Sequence, residues 1–390
     1  MALPARLGHV LSLDDFEVAA RRPLPAPVFA YVSGGVERNQ SLRLNASAFD
    51  QYEFVTRVLV DTSRRSTETT LFGRTWSAPF GIAPMGICAL SAYRGDLVLT
   101  QAAARENVRM VMSGSSLIRM EEIVQANPQA WFQAYLPGAE AEIVALIERV
   151  KAAGYATLVV TLDASIASNR ENNVRAGFST PLRPSARLAW QGLTHPRWLL
   201  GTFLKTLLRH GMPHFENNHA RRGAPILSAN VLRDFSDRGH LGWEHMRLIR
   251  RLWPGTLVVK GLLHARDARL AVDHGADGLI VSNHGGRQLD GTVSPMRVLP
   301  GIVQACPEVP VMIDSGFRRG TDVLKALALG ARFVFVGRPF NYAASVAGEA
   351  GVRKGIALLR DEVSRNMDML GVSSTRDLRG DFLLPPRERG

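Results

Sequence analysis

Eight short apolar runs, each closing on a polar residue or a glycine-containing break, constrain this chain more than any other feature. They are Phe80–Ala83, Met110–Met112, Trp131–Tyr135, Leu158–Thr161, Leu257–Lys260, Leu279–Ser282, Val311–Asp314 and Phe333–Gly337. Runs this short, and rich in β-branched residues, read as strands buried on both faces, as in a parallel sheet covered by helices. Between them, Arg94–Asn107, Ala139–Ala153, Ala265–His274 and Gly320–Leu329 alternate apolar and polar positions at helical spacing. Gly154, Gly275 and Gly330 each fall between such a helix and the next strand, where a helix C-terminus favours glycine. Eight strand–helix units predict an α/β fold, a (β/α)8 TIM barrel rather than a doubly wound sheet.

The repeat has one gap. Phe178–Gly255 is too long for one crossover helix, so a long insertion, about residues 178–255, is expected after the fourth strand. Its middle, Pro181 to His240, carries nine Lys/Arg (Arg183, Arg187, Arg197, Lys205, Arg209, Arg221, Arg222, Arg233, Arg238) against three acids (Glu216, Asp234, Asp237). Within it, Trp198–Arg209 predicts a helix with Leu199, Leu200, Phe203, Leu204, Leu207 and Leu208 on one broad face, Lys205 and Arg209 beside it. The N-terminal segment, to about Thr75, reads as helices packed around the barrel. The expected organisation is a single domain over 1–390, with the barrel at about 76–380.

Composition narrows the function classes. A hydrophobic content of 46% with 21% charged residues describes a folded chain. Cys88 and Cys306 cannot form a disulfide framework and lack metal-ligand spacing, so a reducing compartment and no metal are expected. Met1 to Val10 has no apolar core of signal-peptide length, and no run approaches the ~18 apolar residues of a membrane span. A cytoplasmic protein is expected, or one peripheral on the inner face of the cytoplasmic membrane if residues 181–240 touch lipid. The net charge of +12 fits an acidic substrate or an anionic surface; no nucleic-acid module or basic run accompanies it.

Barrel enzymes keep their chemistry where the strands end. Here the ends carry Pro84-Met85-Gly86, Ser113, Gln133 with Tyr135, Thr161 with Asp163, Lys260, Ser282 with His284, Asp314 with Gly316, and Gly337-Arg338. The seventh and eighth ends, Asp314-Ser315-Gly316-Phe317-Arg318-Arg319-Gly320 and Gly337-Arg338, combine close-approach glycines with Arg318 and Arg338, as a phosphate site requires. In Ser282-Asn283-His284-Gly285-Gly286-Arg287-Gln288-Leu289-Asp290, a histidine two residues past a strand end can face the mouth, with Arg287 one short turn later. Oxidising a 2-hydroxy acid needs a base of near-neutral pKa and a fork for the carboxylate, and these two residues supply that pair. Asp163 at the fourth strand end can orient the imidazole.

The His284 stretch, the Asp314–Gly320 run and Val259-Lys260-Gly261 together resemble the flavin-dependent 2-hydroxy acid oxidases and dehydrogenases, the family of glycolate oxidase, L-lactate dehydrogenase and mandelate dehydrogenase. The similarity runs from about Tyr31 to Gly337 and is strongest toward the mandelate and lactate branch. It implies oxidation of an L-2-hydroxy acid on FMN. Lys260 then matches the lysine beside flavin N1, and Pro84, Met85 and Gly86 the loop along the flavin. Ser113, Gln133, Thr161, Ser282 and Asp314 match ring and ribityl contacts, and Gly316, Arg318, Gly337 and Arg338 the phosphate site. His284 matches the base, Asp163 its partner, Arg170 and Arg287 the carboxylate clamp, and Tyr31 and Tyr135 the two active-site tyrosines, Tyr135 and Arg287 counting with the catalytic set. Family members imply a homotetramer or octamer, and an electron acceptor that is a quinone, a cytochrome or oxygen.

Departures are few. Met85-Gly86 stands where plant-type oxidases carry Thr-Ala, and Ser315 where many members have glycine. Ser115 occupies the position of a tryptophan in glycolate oxidase, which leaves room for a bulkier acid. In membrane-bound members the insertion is the anchor, so peripheral membrane contact through 181–240 is expected alongside its rival, a lid or subunit contact. Two other classes stay open: an FMN barrel such as isopentenyl-diphosphate isomerase, and a membrane-associated flavin-binding module without catalysis. Neither calls for the paired arginines with the His284–Asp163 dyad.

Overall fold

A computed structural model describes residues 7–229 and 238–384. Arg233, Asp234 and Asp237 of the basic insertion fall outside the described residues. Eight parallel strands close a barrel: β1 (Phe80–Ile82), β2 (Arg109–Ser113), β3 (Trp131–Tyr135), β4 (Thr157–Thr161), β5 (Thr256–Leu262), β6 (Gly278–Val281), β7 (Val311–Ile313) and β8 (Phe333–Val336). β8 pairs in parallel with β1, which completes the ring. Each predicted strand is present, its ends moved by one or two residues.

The pleat sorts each strand into two cores. Val111, Trp131, Val159, Val258, Ile280 and Met312 point inward and form one apolar cluster with Phe333 and Phe335. Their sequence neighbours Met112, Phe132, Val160, Val259, Val281 and Ile313 point outward and join the larger cluster beneath the helices. Alternation with period two means that the next inward position on those six strands is Ser113, Gln133, Thr161, Lys260, Ser282 and Asp314. The apolar filling of the barrel therefore gives way, within one inward layer, to a ring of polar side chains.

The N-terminal segment corrects the expectation of helices alone. Three helices are there, α1 (Leu13–Ala20), α2 (Ala26–Ser33) and α3 (Gln40–Ser47), but an antiparallel hairpin, Thr69–Leu71 with Arg74–Trp76, follows them. Leu71, Phe72 and Trp76 belong to the barrel-interior cluster and close its N-terminal end. Arg109 is held there between two indoles, its guanidinium carbon 3.8 Å from the Trp76 ring and 4.4 Å from Trp131. α1 packs on the C-terminal helical segment Arg338–Leu370, which breaks at Ala347 and Gly348.

The insertion also differs from expectation. Trp198–Arg209 is helical, with π-helical pitch over Leu199–Leu204, but the leucines do not share the buried face. Trp198, Thr202 and Thr206 are the buried positions, and the Trp198 indole donates to the Leu90 carbonyl at 2.7 Å. Leu200 and Leu208 are left 63% and 85% exposed, beside exposed Trp190 and Leu193. The single broad face expected at 3.6 residues per turn is split by the wider pitch: Leu199 and Phe203 pack on the core while Leu200 and Leu208 stay exposed.

Candidate active site

The mouth of the barrel holds one cavity of about 390 Å³, in the range of small-molecule sites. Most of the expected residues line it. Tyr31, Pro84, Met85 and Gly86 form one wall. Gln133, Tyr135, Thr161 and Lys260 form its floor and far side. Arg170, His284, Arg287 and Arg338 line it near the Gly34 segment, and Asp314, Gly316, Arg318 and Gly337 complete the lining. Three expected residues do not line it. Ser113 and Ser282 are one hydrogen bond behind the wall, where Ser113 donates to Gln133 (3.1 Å) and Ser282 accepts from Lys260 (2.8 Å). Asp163 lies behind the ring of His284. All three act on the cavity only through the residue in front of them.

His284 follows β6 in a turn where it and two glycines have positive φ: 58° for His284, 67° for Gly285 and 71° for Gly286. Gly285 and Gly286 are also required by space, since a Cβ would come within 2.8 Å of the Arg338 guanidinium and 2.7 Å of the Leu42 amide nitrogen respectively. The turn holds the imidazole between two partners. Nδ1 is 2.9 Å from Asp163 Oδ1, and Nε2 is 3.2 Å from the Tyr135 hydroxyl. A carboxylate only accepts, so Nδ1 carries the proton and Nε2 presents a lone pair toward the mouth. Burial pushes the His284 pKa below its ordinary value, which Asp163 only partly offsets. Burial works against the Asp163 carboxylate too, but His284 and Lys260 outweigh it and hold its pKa below the usual range.

The charge balance of the cavity is informative. Arg170, Lys260, Arg287, Arg318 and Arg338 line it against a single carboxylate, Asp314. Lys260 and Asp314 pair at 3.1 Å, both almost fully buried. Burial drives Arg287 down to about 9 and Arg338 to about 10, so both stay charged at neutral pH. Buried cations in such excess call for anions. Arg318 is partly balanced by Asp14 (3.5 Å) and Glu17 (3.9 Å). The excess falls on Arg170 and Arg287 beside His284, and on Arg338, whose guanidinium shares the Gly34 carbonyl with Arg287 and reaches the Gly285 carbonyl.

Two buried polar atoms have no hydrogen-bond partner among the described residues, Gln133 Nε2 and Thr161 Oγ1, and both residues line the cavity. An elongated ligand with one phosphate, a polar ring edge and room beside it for a small acid would satisfy these groups together. FMN has that shape and donor–acceptor set.

The family model for FMN-dependent dehydrogenases matches residues 20–385. The chain belongs to the FMN-dependent dehydrogenase family. It is 36% identical to (S)-mandelate dehydrogenase of Pseudomonas putida over 376 residues, 96% of this chain and 94% of that one. It is 38% identical to L-lactate dehydrogenase of Pseudomonas entomophila over 381 residues, 96% and 98% of the two chains. Among solved structures, that of the monotopic membrane protein (S)-mandelate dehydrogenase superposes with a TM-score of 0.86 at 35% identity, covering 97% of this chain and all of that one. A mandelate oxidase superposes with a TM-score of 0.79 at 33% identity, over 96% and 98%. The chain is thus an FMN-dependent oxidoreductase, similar to mandelate and lactate dehydrogenases.

Sequence reasoning missed several residues of the site. Ser315 takes φ 84° and uses its hydroxyl twice, donating to Asp314 (2.9 Å) and accepting from the Gly285 amide (3.0 Å). Gly34 accepts from both Arg287 (2.7 Å) and Arg338 (3.0 Å) through its carbonyl. Gly261, in the irregularity of β5, has φ 101°, and a Cβ there would meet the Asp163 carboxyl at 2.7 Å. The glycine after the flavin-side lysine was visible in the sequence; its contact across the β4–β5 pair was not.

Proposed function

We propose that this dehydrogenase oxidises a lactate- or mandelate-like L-2-hydroxy acid to the 2-oxo acid, with His284 as the base. The observation that carries this reading is a buried imidazole oriented by Asp163, its Nε2 beside the Tyr135 hydroxyl, in the same cavity as two arginines. Arg170 and Arg287 clamp the carboxylate of the substrate and aim its hydroxyl-bearing carbon. His284 Nε2 takes a proton, and Asp163 stabilises the imidazolium that results. Tyr135 steadies Nε2, and Tyr31 closes the pocket over the acid. Lys260, Gln133, Thr161 and the β7–β8 loops would hold FMN, which would supply the acceptor for a hydride equivalent, that is, the two electrons and the second proton that leave the substrate. Ser115, small and facing the cavity, leaves space for a side chain larger than that of glycolate.

Anaerobic addition of L-lactate, L-mandelate and glycolate tests the reading by the bleaching of the bound flavin. L-lactate or L-mandelate should bleach it fastest; an FMN-loaded protein bleached by none of the three is not such an enzyme. The pH dependence follows from His284. Its pKa lies below the ordinary 6.5, and only the neutral ring accepts a proton. Reduction should therefore stay level as pH falls past 6.5, then drop about tenfold per unit below the lowered pKa. A rate already falling at pH 7.5 would contradict this.

We propose further that the insertion seats the protein on an anionic membrane surface. Trp190, Leu193, Leu200 and Leu208 are each at least 63% exposed, and exposed Arg187, Arg197 and Arg209 accompany them. Together they make an apolar face with a cationic rim, the chemistry of an interfacial helix. No helix among the described residues is long and apolar enough to cross a membrane. The wild-type protein should sediment with phosphatidylglycerol vesicles at low salt, and Leu200→Glu/Leu208→Glu should remain in the supernatant with flavin reduction unchanged. A wild-type protein that never sediments removes the idea.

A further inference from the structure

Gln288 was read in the sequence only as a neighbour of Arg287, yet its amide makes three hydrogen bonds at the mouth. Oε1 accepts from Arg170 Nη2 at 2.8 Å and from the Ser168 hydroxyl at 3.1 Å. Nε2 donates to the Asp163 carbonyl at 2.9 Å. The three partners span one connection, the loop from Asp163 to Arg170 that leaves β4. That loop carries Ala164, Ile166 and Ala167 along the cavity wall. Its first residue orients His284; its last is one of the two arginines at the substrate end. Arg170 has one further support in this loop region, the Arg287 carbonyl at 3.2 Å from Nε. Gln288 itself comes from the β6 turn that bears His284 and Arg287. A single amide thus fixes the β4 loop to the β6 turn at both ends of the loop.

We infer that Gln288 is a positioning residue: it sets the Arg170 guanidinium through its oxygen and the Asp163 backbone through its nitrogen. The inference rests on the proposed roles of Arg170, Asp163 and His284. Its two atoms serve two different parts of the reaction, so they separate by substitution. Loss of the oxygen loosens Arg170 and weakens binding of the acid. Loss of the nitrogen frees the Asp163 backbone and slows proton removal by His284. Groups that hold a first contact in place are commonly worth about 10- to 100-fold each.

Anaerobic stopped-flow reduction of the FMN-loaded protein reads both constants. Gln288→Met keeps the volume and removes both bonds. It should raise the dissociation constant for L-lactate or L-mandelate about tenfold and lower the limiting reduction rate about tenfold. Gln288→Glu keeps the acceptor but cannot donate, so affinity should return while the rate stays low. FMN affinity and Tm should match the wild type in both. In a double-mutant cycle with Arg170→Met, the affinity loss of Gln288→Met should vanish, because its route to the substrate is already gone. Unchanged constants in Gln288→Met, a parallel fall in FMN affinity and Tm, or an additive affinity loss in the cycle would each overturn the inference. Failure of the underlying reading appears elsewhere: His284→Gln would then keep fast reduction whatever Gln288 does.

Discussion

His284→Gln should yield a yellow, FMN-loaded protein whose flavin is reduced by substrate about 10³-fold more slowly than in the wild type. The glutamine amide can still reach Asp163 and Tyr135, so the shape of the mouth survives. What disappears is the lone pair. Burial keeps His284 neutral and Asp163 stays ionised, so the pair is poised to receive a proton and stabilise the cation formed. Among the described residues no other histidine lines the cavity, and the tyrosine beside it cannot substitute, because burial holds the Tyr135 pKa above its ordinary value. Anaerobic stopped-flow at pH 7.5 measures the rate directly. Fast reduction in this variant would remove the base from His284.

Lys260→Met should have the second large effect, on stability and chemistry at once. The ammonium is buried, yet Asp314 and Asp163 overcome the burial penalty and keep its pKa above the ordinary value. Methionine deletes the charge and leaves Asp314, with its side chain 9% exposed, a carboxylate without its counter-ion. Removing one partner of a buried pair costs about 3–5 kcal/mol, seen here as a lower urea midpoint for the apoprotein. Adding Asp314→Asn to Lys260→Met should recover most of that loss. It should not recover flavin reduction, which stays down by about 10²-fold because no cation faces the reduced ring. Stability that fails to recover in the double variant would mean that the pair is not what the fold depends on. Reduction that does recover would remove Lys260 from the chemistry.

Much of this could be read from the sequence because the barrel uses its pleat economically. Val258 and Lys260, or Ile280 and Ser282, are two residues apart and share the inward face, so a polar residue closing an apolar run was already a residue at the mouth. The hairpin at the other end was missed because Thr69–Leu71 and Arg74–Trp76 are three residues each, too short for alternation to register. In the insertion, periodicity put the leucines and Phe203 on one face, but the π-helical pitch splits them, and Trp198 and two threonines are the buried positions. Asp163 stands where the sequence put it, against His284, whereas Ser113 and Ser282 were expected as direct contacts and stand one bond behind the cavity; strand ends tell which residues face the mouth, not how far each reaches. Tyr31 followed only from the family resemblance, since nothing within the first forty residues indicates that α2 returns to the barrel. Gln288 lay inside the sharpest motif, but its partners belong to another strand's loop.

The Gly34 carbonyl, which accepts from both Arg287 and Arg338, has a consequence for how the protein is made. Arg287 and Arg338 lie 253 and 304 positions further along the chain. Ser41 and Asp290, which help hold the same segment down, are 249 apart. Contacts this distant close late, because loop entropy must be overcome before they form. The residues around Gly34 emerge first from the ribosome but find their acceptor geometry only once the eighth strand and the helix after it are in place. Until then Arg287 and Arg338 lack the acceptor they share, so the mouth of the barrel takes its final shape only after the eighth strand has formed.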